Sequence, residues 1–185
     1  MRLYLIAFIV LLNGFSFSQN TTNWGIEARF KPGFLLGHRV VMGHLPVNHT
    51  YATELSFVYR TNGEKSWHKH YKYPELALNL YFGSVGNTEI LGNFVGVYTN
   101  LHIPFISKEN FRLNGKIGCG LSYTSKIYDE EKYQKNVAIS THFNAMINFG
   151  LDAKYYFNKN WLAFGVEVLH FSNGGFRVPN LGLNI

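Results

Sequence analysis

Two long segments of the sequence alternate regularly between apolar and polar side chains, and this pattern limits the fold more than any other feature. Successive side chains of a β-strand point to opposite faces, so each segment predicts one strand with an apolar and a polar face. Residues 111–124 place Phe111, Leu113, Ile117, Cys119, Leu121 and Tyr123 opposite Arg112, Asn114, Lys116, Gly118, Gly120, Ser122 and Thr124. Residues 143–157 repeat the pattern, with Asp152 and Lys154 on the polar face. Such long strands with charges on one face do not suit a small soluble sandwich.

Five further segments predict strands with weaker alternation. They are residues 24–31, 51–60, 76–83, 93–103 and 161–172. Aromatic residues make up 17% of the 185 residues and charged residues only 15%, which is unusual for a soluble protein of this size. The sequence also argues against a bundle of membrane helices, because no window of 18 apolar residues occurs except at the very start. An all-β protein is the leading class.

The expected fold is an antiparallel transmembrane β-barrel. Its spanning strands need about 9–11 residues each, and aromatic residues such as Tyr155 and Trp161 flank the turn Asn158-Lys159-Asn160, where a membrane-interface girdle would lie. Closed barrels of this kind have an even number of strands, so we expect eight, of which seven are recognisable. A soluble lipocalin-like barrel is the alternative, and it would turn its apolar face inward.

The start of the chain has the features of a signal peptide, residues 1–18. Arg2 supplies a positive charge, residues 3–12 are apolar, and Ser16 and Ser18 provide the small residues that a signal peptidase reads. We therefore expect an exported protein whose single domain, residues 19–185, is the barrel. Without Arg2, 16 basic and 11 acidic residues leave the domain a formal net charge of +5, which suits an anionic membrane surface, although ordinary solubility explains that surplus equally well.

His170 and Ser172 form the candidate catalytic pair. They continue the even-numbered positions of residues 161–172, whose other members are apolar, so both side chains should project outward toward lipid. Same-face residues two apart are about 6.5–7 Å apart at Cα, which lets an imidazole reach a neighbouring hydroxyl. Histidine can take the serine proton near neutral pH and so create a nucleophile. Polar groups on a lipid-facing stripe are costly away from the interface, which marks the pair as functional.

The next three residues, Asn173-Gly174-Gly175, can turn sharply and offer backbone N–H groups to an oxyanion. On local pattern alone, a strand end followed by a turn is the better explanation of the segment, because His-x-Ser is a common tripeptide. A longer comparison is more specific. His170-Phe171-Ser172-Asn173-Gly174-Gly175, followed by Pro179-Asn180, resembles the signature of the lipid A 3-O-deacylase (PagL) family of outer-membrane proteins, also described as acyloxyacyl hydrolase-like. Upstream stretches such as residues 33–39 and 73–75 are similar to the family as it occurs in Bacteroidetes-type bacteria.

The resemblance implies an eight-stranded outer-membrane barrel that hydrolyses the ester-linked acyl chain at the 3-position of lipid A, the membrane anchor of lipopolysaccharide. By motif match Ser172 would be the nucleophile and His170 its base. Asn180 and the backbone N–H of Gly175 would be the oxyanion donors. The family's triad includes a glutamate that orients the histidine, and the spacing places that position at Asn184. An amide can hold an imidazole but stabilises the imidazolium less well, and in serine proteases the change from Asp to Asn costs about 10⁴-fold in turnover.

The chain ends at Ile185, just after the motif, and a barrel of this kind usually finishes with a complete strand. We therefore expect a C-terminally truncated barrel with its last strand missing, since hydrocarbon does not tolerate an open sheet edge.

Other functional classes have weaker support. His68 and His70 would share one face if residues 67–70 formed a strand, but no carboxylate or cysteine has matching ligand spacing, so we expect no metal and no cofactor. Phosphate-binding and nucleic-acid motifs are absent, which argues against a nucleic-acid partner. A non-enzymatic structural or lipid-binding barrel remains an alternative, as does an esterase for another acylated lipid. The non-enzymatic barrel would have no reason to pair His170 with Ser172 on the lipid face.

Overall fold

The computed structural model describes residues 23–185, so the predicted signal peptide, residues 1–18, lies outside the described residues. Eight strands dominate the described part. They are β1 (Trp24–Gly33), β2 (Thr50–Arg60), β3 (Glu75–Ser84), β4 (Asn93–Ser107), β5 (Phe111–Thr124), β6 (Phe143–Phe157), β7 (Asn160–Ser172) and β8 (Leu183–Asn184). A short 3₁₀ helix, Val40–Met42, and one α-helical turn, α1 (Ser66–His70), lie in the connections. No helix between residues 23 and 185 has both the length and the apolar character needed to cross a membrane.

The observed strands match the sequence predictions closely. The two clearest predictions, residues 111–124 and 143–157, coincide with β5 and β6. Strand β4 continues to Ser107 instead of ending at 103, because a bulge between Pro104 and Ile106 shifts the alternation that the sequence pattern relies on.

Residues 67–70 form a helical turn and not the possible strand considered from the sequence. These residues belong to α1, and the His68 ring lies at the start of that helical turn. His68 Nδ1 accepts a hydrogen bond from the backbone N–H of Gly63 at 3.0 Å, which satisfies a backbone donor beside the helix. The two histidines therefore lie on a helical turn and not on one face of a strand.

Each strand pairs antiparallel with the next one in the chain, so the sheet order runs from β1 to β8. The two-residue β8 pairs with β7 through His170–Asn184 and Phe171–Leu183. On its other side, Leu36 donates its backbone N–H to the Asn184 carbonyl at 2.8 Å. The sheet therefore curls into an open barrel, which β8 closes at one end.

The rest of the β1 and β7 edges face each other across a seam, residues 27–33 opposite residues 163–169. Among the described residues, no backbone ladder crosses this seam, and side chains bridge it instead. Trp161 Nε1 donates to Glu27 at 2.6 Å, and Lys31 forms an ion pair with Glu167. A cavity of about 720 Å³ lies along the seam. The expected eighth strand is thus present only as the short β8.

The two ends of the barrel differ in their connections. At one end, called the loop end, lie the long segments 34–49, 85–92, 125–142 and 173–182. At the other, called the turn end, the strands are joined by residues 61–74, 108–110 and 158–159. The candidate pair lies at the loop end, where β7 finishes.

The outer wall of the barrel is apolar. Phe149 on β6 is 52% exposed and Phe164 on β7 is 66% exposed, and the outward positions of β5 follow the same rule. Aromatic side chains lie near both rims, for example Tyr123 and Phe143 at the loop end and Tyr155 at the turn end. The lipocalin-like alternative is wrong, because the apolar face points outward. This is the arrangement of a transmembrane β-barrel.

Paired charges fill the interior of the barrel. Lys154 on β6 is fully buried, and its Nζ lies 2.7 Å from Glu75 Oε2 and 3.2 Å from Glu27 Oε2. Lys116 on β5 lies 2.6 Å from Glu167 Oε2. A buried charge is tolerated only when it is paired. These contacts between distant strands therefore stabilise the curved shape of the sheet.

Beneath the loops the interior becomes apolar. This plug of buried side chains is formed by Leu35, Met42, Leu45, Val85, Leu91, Phe94, Ile139, Met146, Phe171 and Leu183, among others. The Phe171 ring lies 4.9 Å from the Phe94 ring, so the end of β7 is anchored from inside. An inward Phe171 fixes its neighbours His170 and Ser172 on the outer wall.

Replacing Lys154 by methionine should destabilise the fold by about 3–5 kcal/mol, because two buried carboxylates would lose their shared cation. Urea unfolding of the detergent-folded protein, followed by tryptophan fluorescence, measures the change. Lys159→Met on the exposed turn at residues 158–159 is the matched control and should change stability by less than about 0.5 kcal/mol. Equal effects of the two substitutions would contradict the interior network.

Replacing Phe149 by arginine should destabilise the protein in phospholipid vesicles by about 2–4 kcal/mol, the cost of a cation on the lipid face of a barrel. Phe176→Arg serves as the control, since Phe176 is 94% exposed in a loop and should tolerate the charge. If Phe149→Arg unfolds at the same urea concentration as the parent protein, this wall does not face lipid.

Candidate active site

The candidate site lies on the outer wall at the loop end of β7. His170 and Ser172 are both half-buried there, whereas their neighbours Leu169 and Phe171 are buried inside. The predicted orientation of the even-numbered positions therefore agrees with the structure. Val168, next on the same stripe, is 43% exposed, so the site borders the apolar wall directly.

Asn184 holds the His170 ring. Pairing of β8 with β7 places the two residues opposite each other, and His170 Nδ1 lies 2.7 Å from Asn184 Oδ1. A carbonyl oxygen only accepts hydrogen bonds, so Nδ1 carries a proton, and in the neutral ring Nε2 keeps its lone pair. This is the tautomer that a general base needs. Asn184 thus orients the His170 ring.

No acidic side chain of residues 23–185 contacts His170. Glu167, the nearest in sequence, points into the barrel and binds Lys31 and Lys116. Within these residues, the partner of the His170 ring is therefore the Asn184 amide and not a carboxylate.

Two N–H groups converge on the Ser172 hydroxyl. Asn180 Nδ2 donates to Ser172 Oγ at 3.0 Å, and the backbone N–H of Gly174 donates at 3.1 Å. Donors at this place favour negative charge on the oxygen and on an adjacent oxyanion. Within the described chain, no hydrogen bond joins Ser172 to His170. The two donors and the base thus lie around Ser172, but the hydrogen bond from Ser172 to His170 that proton transfer needs is not formed.

Asn173 organises the turn that follows Ser172. Its buried Nδ2 donates to Ser140 Oγ at 3.0 Å and to the Arg177 carbonyl at 2.8 Å. Its Oδ1 accepts the Gly175 N–H at 2.9 Å. The resemblance implies that the Gly175 N–H serves the oxyanion, but this N–H is bound to the Asn173 side chain. The N–H beside Ser172 Oγ belongs to Gly174. Both glycines have left-handed φ angles of 68° and 88°, which explains their presence here.

The structure adds residues that sequence reasoning missed. His38 lies beside Asn184, with its Nδ1 3.0 Å from Asn184 Nδ2. Gly182 packs under the His170 ring: a Cβ there would lie 2.7 Å from His170 Cε1, and its φ is +74°. Ser140 reaches the turn from the β5–β6 loop. Their roles could not be read from a local pattern, because each role depends on a contact that forms only in the folded chain.

Among residues 23–185, no three His, Cys, Asp or Glu side chains lie together as a set of metal ligands. Arg177 is exposed at the loop end near the site. Cys119 is an exposed free thiol on the outer wall of β5.

Comparison with known proteins gives a family match. Residues 51–185 match the family model of lipid A 3-O-deacylase (PagL). No curated protein and no solved structure matches the chain significantly. The matched segment runs from β2 to the end of the chain and contains His170, Ser172, Asn180 and Asn184.

Replacing Gly182 by alanine should displace the His170 ring, because the added methyl group would overlap it. We expect the rate at which a fluorophosphonate labels Ser172 to fall at least about 10-fold, since misplacing a catalytic group by about 1 Å can cost 100-fold. Gly63→Ala is the control, since its φ of +92° imposes similar backbone strain far from the site. Unchanged labelling in Gly182→Ala, with labelling that still requires Ser172, would contradict this packing role.

Proposed function

Because the chain belongs to the lipid A 3-O-deacylase (PagL) family, we propose that it hydrolyses the 3-O-linked acyl chain of lipid A at Ser172 in the bacterial outer membrane. The observation that carries the proposal is the arrangement at the end of β7. There a serine that receives two N–H donors lies two residues from a histidine whose base tautomer is fixed. All of this lies on the outer wall, where a membrane lipid can reach it.

In the proposed reaction Ser172 Oγ attacks the ester carbonyl carbon while His170 Nε2 takes the hydroxyl proton. The tetrahedral intermediate collapses, the sugar hydroxyl leaves with the proton from His170, and an acyl-serine remains. Water then attacks the acyl-serine with His170 again acting as base, which releases the fatty acid and restores Ser172. Rotation of the Ser172 side chain toward His170 is the movement that this sequence requires, because the two residues share a face.

The developing oxyanion would receive hydrogen bonds from Asn180 and from the backbone N–H of Gly175. Gly174 is a further donor, since its N–H already lies 3.1 Å from Ser172 Oγ. Gly175 can serve only when its N–H leaves the Asn173 side chain, which it contacts at 2.9 Å. Removing one oxyanion donor typically costs about 10²–10³-fold in turnover.

The seam between β1 and β7 offers a surface for the acyl chain. It leads away from the site along the outer wall, and its apolar lining includes Phe30, Phe34, Leu36, Val166 and Val168. Leu36 is directly bound to Asn184 through the backbone, so the upper end of the seam adjoins the site. An acyl chain lying in the seam would place its ester near Ser172 and the sugar headgroup toward the loops.

Asn184 stands where the family's triad has an acidic residue. An amide keeps the tautomer of His170 but carries no charge to stabilise the imidazolium formed during attack. We therefore propose that the enzyme is slower than a counterpart with a carboxylate at this position, and that Asn184→Asp raises turnover.

Mass spectrometry of lipid A incubated with the detergent-folded protein tests the proposal. The parent protein should remove one hydroxyacyl chain, and Ser172→Ala should lower the rate at least about 10³-fold, since loss of a serine nucleophile is among the most costly changes known in such enzymes. Ser66→Ala, an exposed serine at the turn end, is the matched control and should keep full activity.

Two results would overturn the proposal. Full activity in Ser172→Ala would mean that another group is the nucleophile. Intact lipid A after incubation with correctly folded parent protein would favour a structural or lipid-binding barrel, or an esterase for another lipid.

A further inference from the structure

We propose that His38 is a positioning residue that holds the Asn184 amide in the one orientation that keeps His170 a base. The inference rests on the function proposed above, because the base matters only if Ser172 is a nucleophile. His38 lies 146 residues from Asn184 in the sequence and reaches it through the segment that follows β1.

One backbone carbonyl sets the direction of the whole chain of hydrogen bonds. His38 Nε2 lies 3.0 Å from the Leu181 carbonyl oxygen, which only accepts, so Nε2 carries the proton. The neutral ring therefore presents an unprotonated Nδ1 to Asn184 Nδ2, 3.0 Å away, and accepts a hydrogen bond from it. With its amino group bound to His38, Asn184 turns its Oδ1 to His170 Nδ1 at 2.7 Å.

An asparagine needs such a partner, whereas a carboxylate does not. The two ends of an amide differ, and a half-turn about its last bond would present the amino group to His170 Nδ1. His170 would then accept at Nδ1 and carry its proton on Nε2, the wrong tautomer for taking a proton from Ser172. Both oxygens of a carboxylate accept, so either would keep Nδ1 protonated. By accepting a hydrogen bond from the Asn184 amino group, His38 keeps the amide oxygen turned toward His170.

Backbone hydrogen bonds hold His38, Leu181 and Asn184 in place. Leu36 donates its N–H to the Asn184 carbonyl at 2.8 Å, which fixes the position of His38 two residues later. Gly182, with its left-handed φ, follows Leu181 and donates its N–H to the Ala138 carbonyl at 3.1 Å. His38 itself is exposed, so its side chain can be replaced without opening the apolar plug.

The sharpest test reverses the polarity of this contact. In His38→Arg, a guanidinium that can only donate would attract Asn184 Oδ1 and turn the amino group toward His170. Turnover should fall at least about 30-fold with little change in KM, because the wrong tautomer of a catalytic histidine costs up to about 10⁴-fold in serine proteases. His44→Arg is the matched control. His44 is also exposed at the loop end and also contacts a backbone carbonyl, that of Lys135 at 2.8 Å, but it does not contact Asn184.

Rescue distinguishes positioning from a general structural role. In Asn184→Asp, both oxygens accept, so a guanidinium at position 38 can bind one while His170 Nδ1 keeps the other. The double variant His38→Arg/Asn184→Asp should therefore lose less than about threefold relative to Asn184→Asp, a strong departure from additivity. An equal loss in both backgrounds would overturn the inference.

A readout independent of activity keeps the inference separate from the proposed function. In detergent-folded protein with ¹⁵N-labelled histidines, NMR at alkaline pH distinguishes protonated from unprotonated ring nitrogens. His170 should be protonated on Nδ1 in the parent protein and on Nε2 in His38→Arg. An unchanged tautomer would overturn the role of His38. If the tautomer switches in His38→Arg but the parent protein leaves lipid A intact, the proposed function is overturned and the role of His38 is kept.

Discussion

The alternation of side chains across a β-strand is the constraint on which this structure depends. Because the apolar face of every long strand points outward, the polar side chains of the other face are gathered inside, and their charges must be paired there. The ion pairs of Lys154 with Glu27 and Glu75 follow from that requirement, and they join β6 to β1 and β3. The same alternation leaves His170 and Ser172 outside, on the apolar outer wall. Fold and site are two consequences of one geometric rule.

The sequence allowed most of the barrel to be predicted, and the exceptions have physical causes. β5 and β6 were predicted to the residue because both faces are chemically distinct along their full length. The end of β4 was not, because the bulge near Pro104 breaks the two-residue period. The helical turn at Ser66–His70 is too short to show a helical period in the sequence. The direction of the apolar face was open until the structure placed Phe149 outside and Lys154 inside.

The candidate site divides in the same way between local and tertiary information. His170, Ser172, Asn180 and Asn184 lie within 15 residues of one another, so a local motif could point to them. His38 and Ser140 could not be assigned a role in this way, since they reach the site from distant segments. Gly182 lies within the same stretch, but its contact with the His170 ring appears only in the folded structure. The distinction between the N–H groups of Gly174 and Gly175 also required the structure, because it depends on how the Asn173 side chain folds back on the turn.

The filled interior bears on the permeability of a membrane that contains this protein. A porin conducts because the inside of its barrel is a water channel. Here, ion-paired side chains occupy the middle of the barrel, and the apolar plug of Phe94, Ile139, Phe171 and their neighbours lies beneath the loops. Between residues 23 and 185, such an interior offers no wide aqueous path for solutes. A membrane could therefore hold many copies of a barrel of this design without losing its function as a barrier.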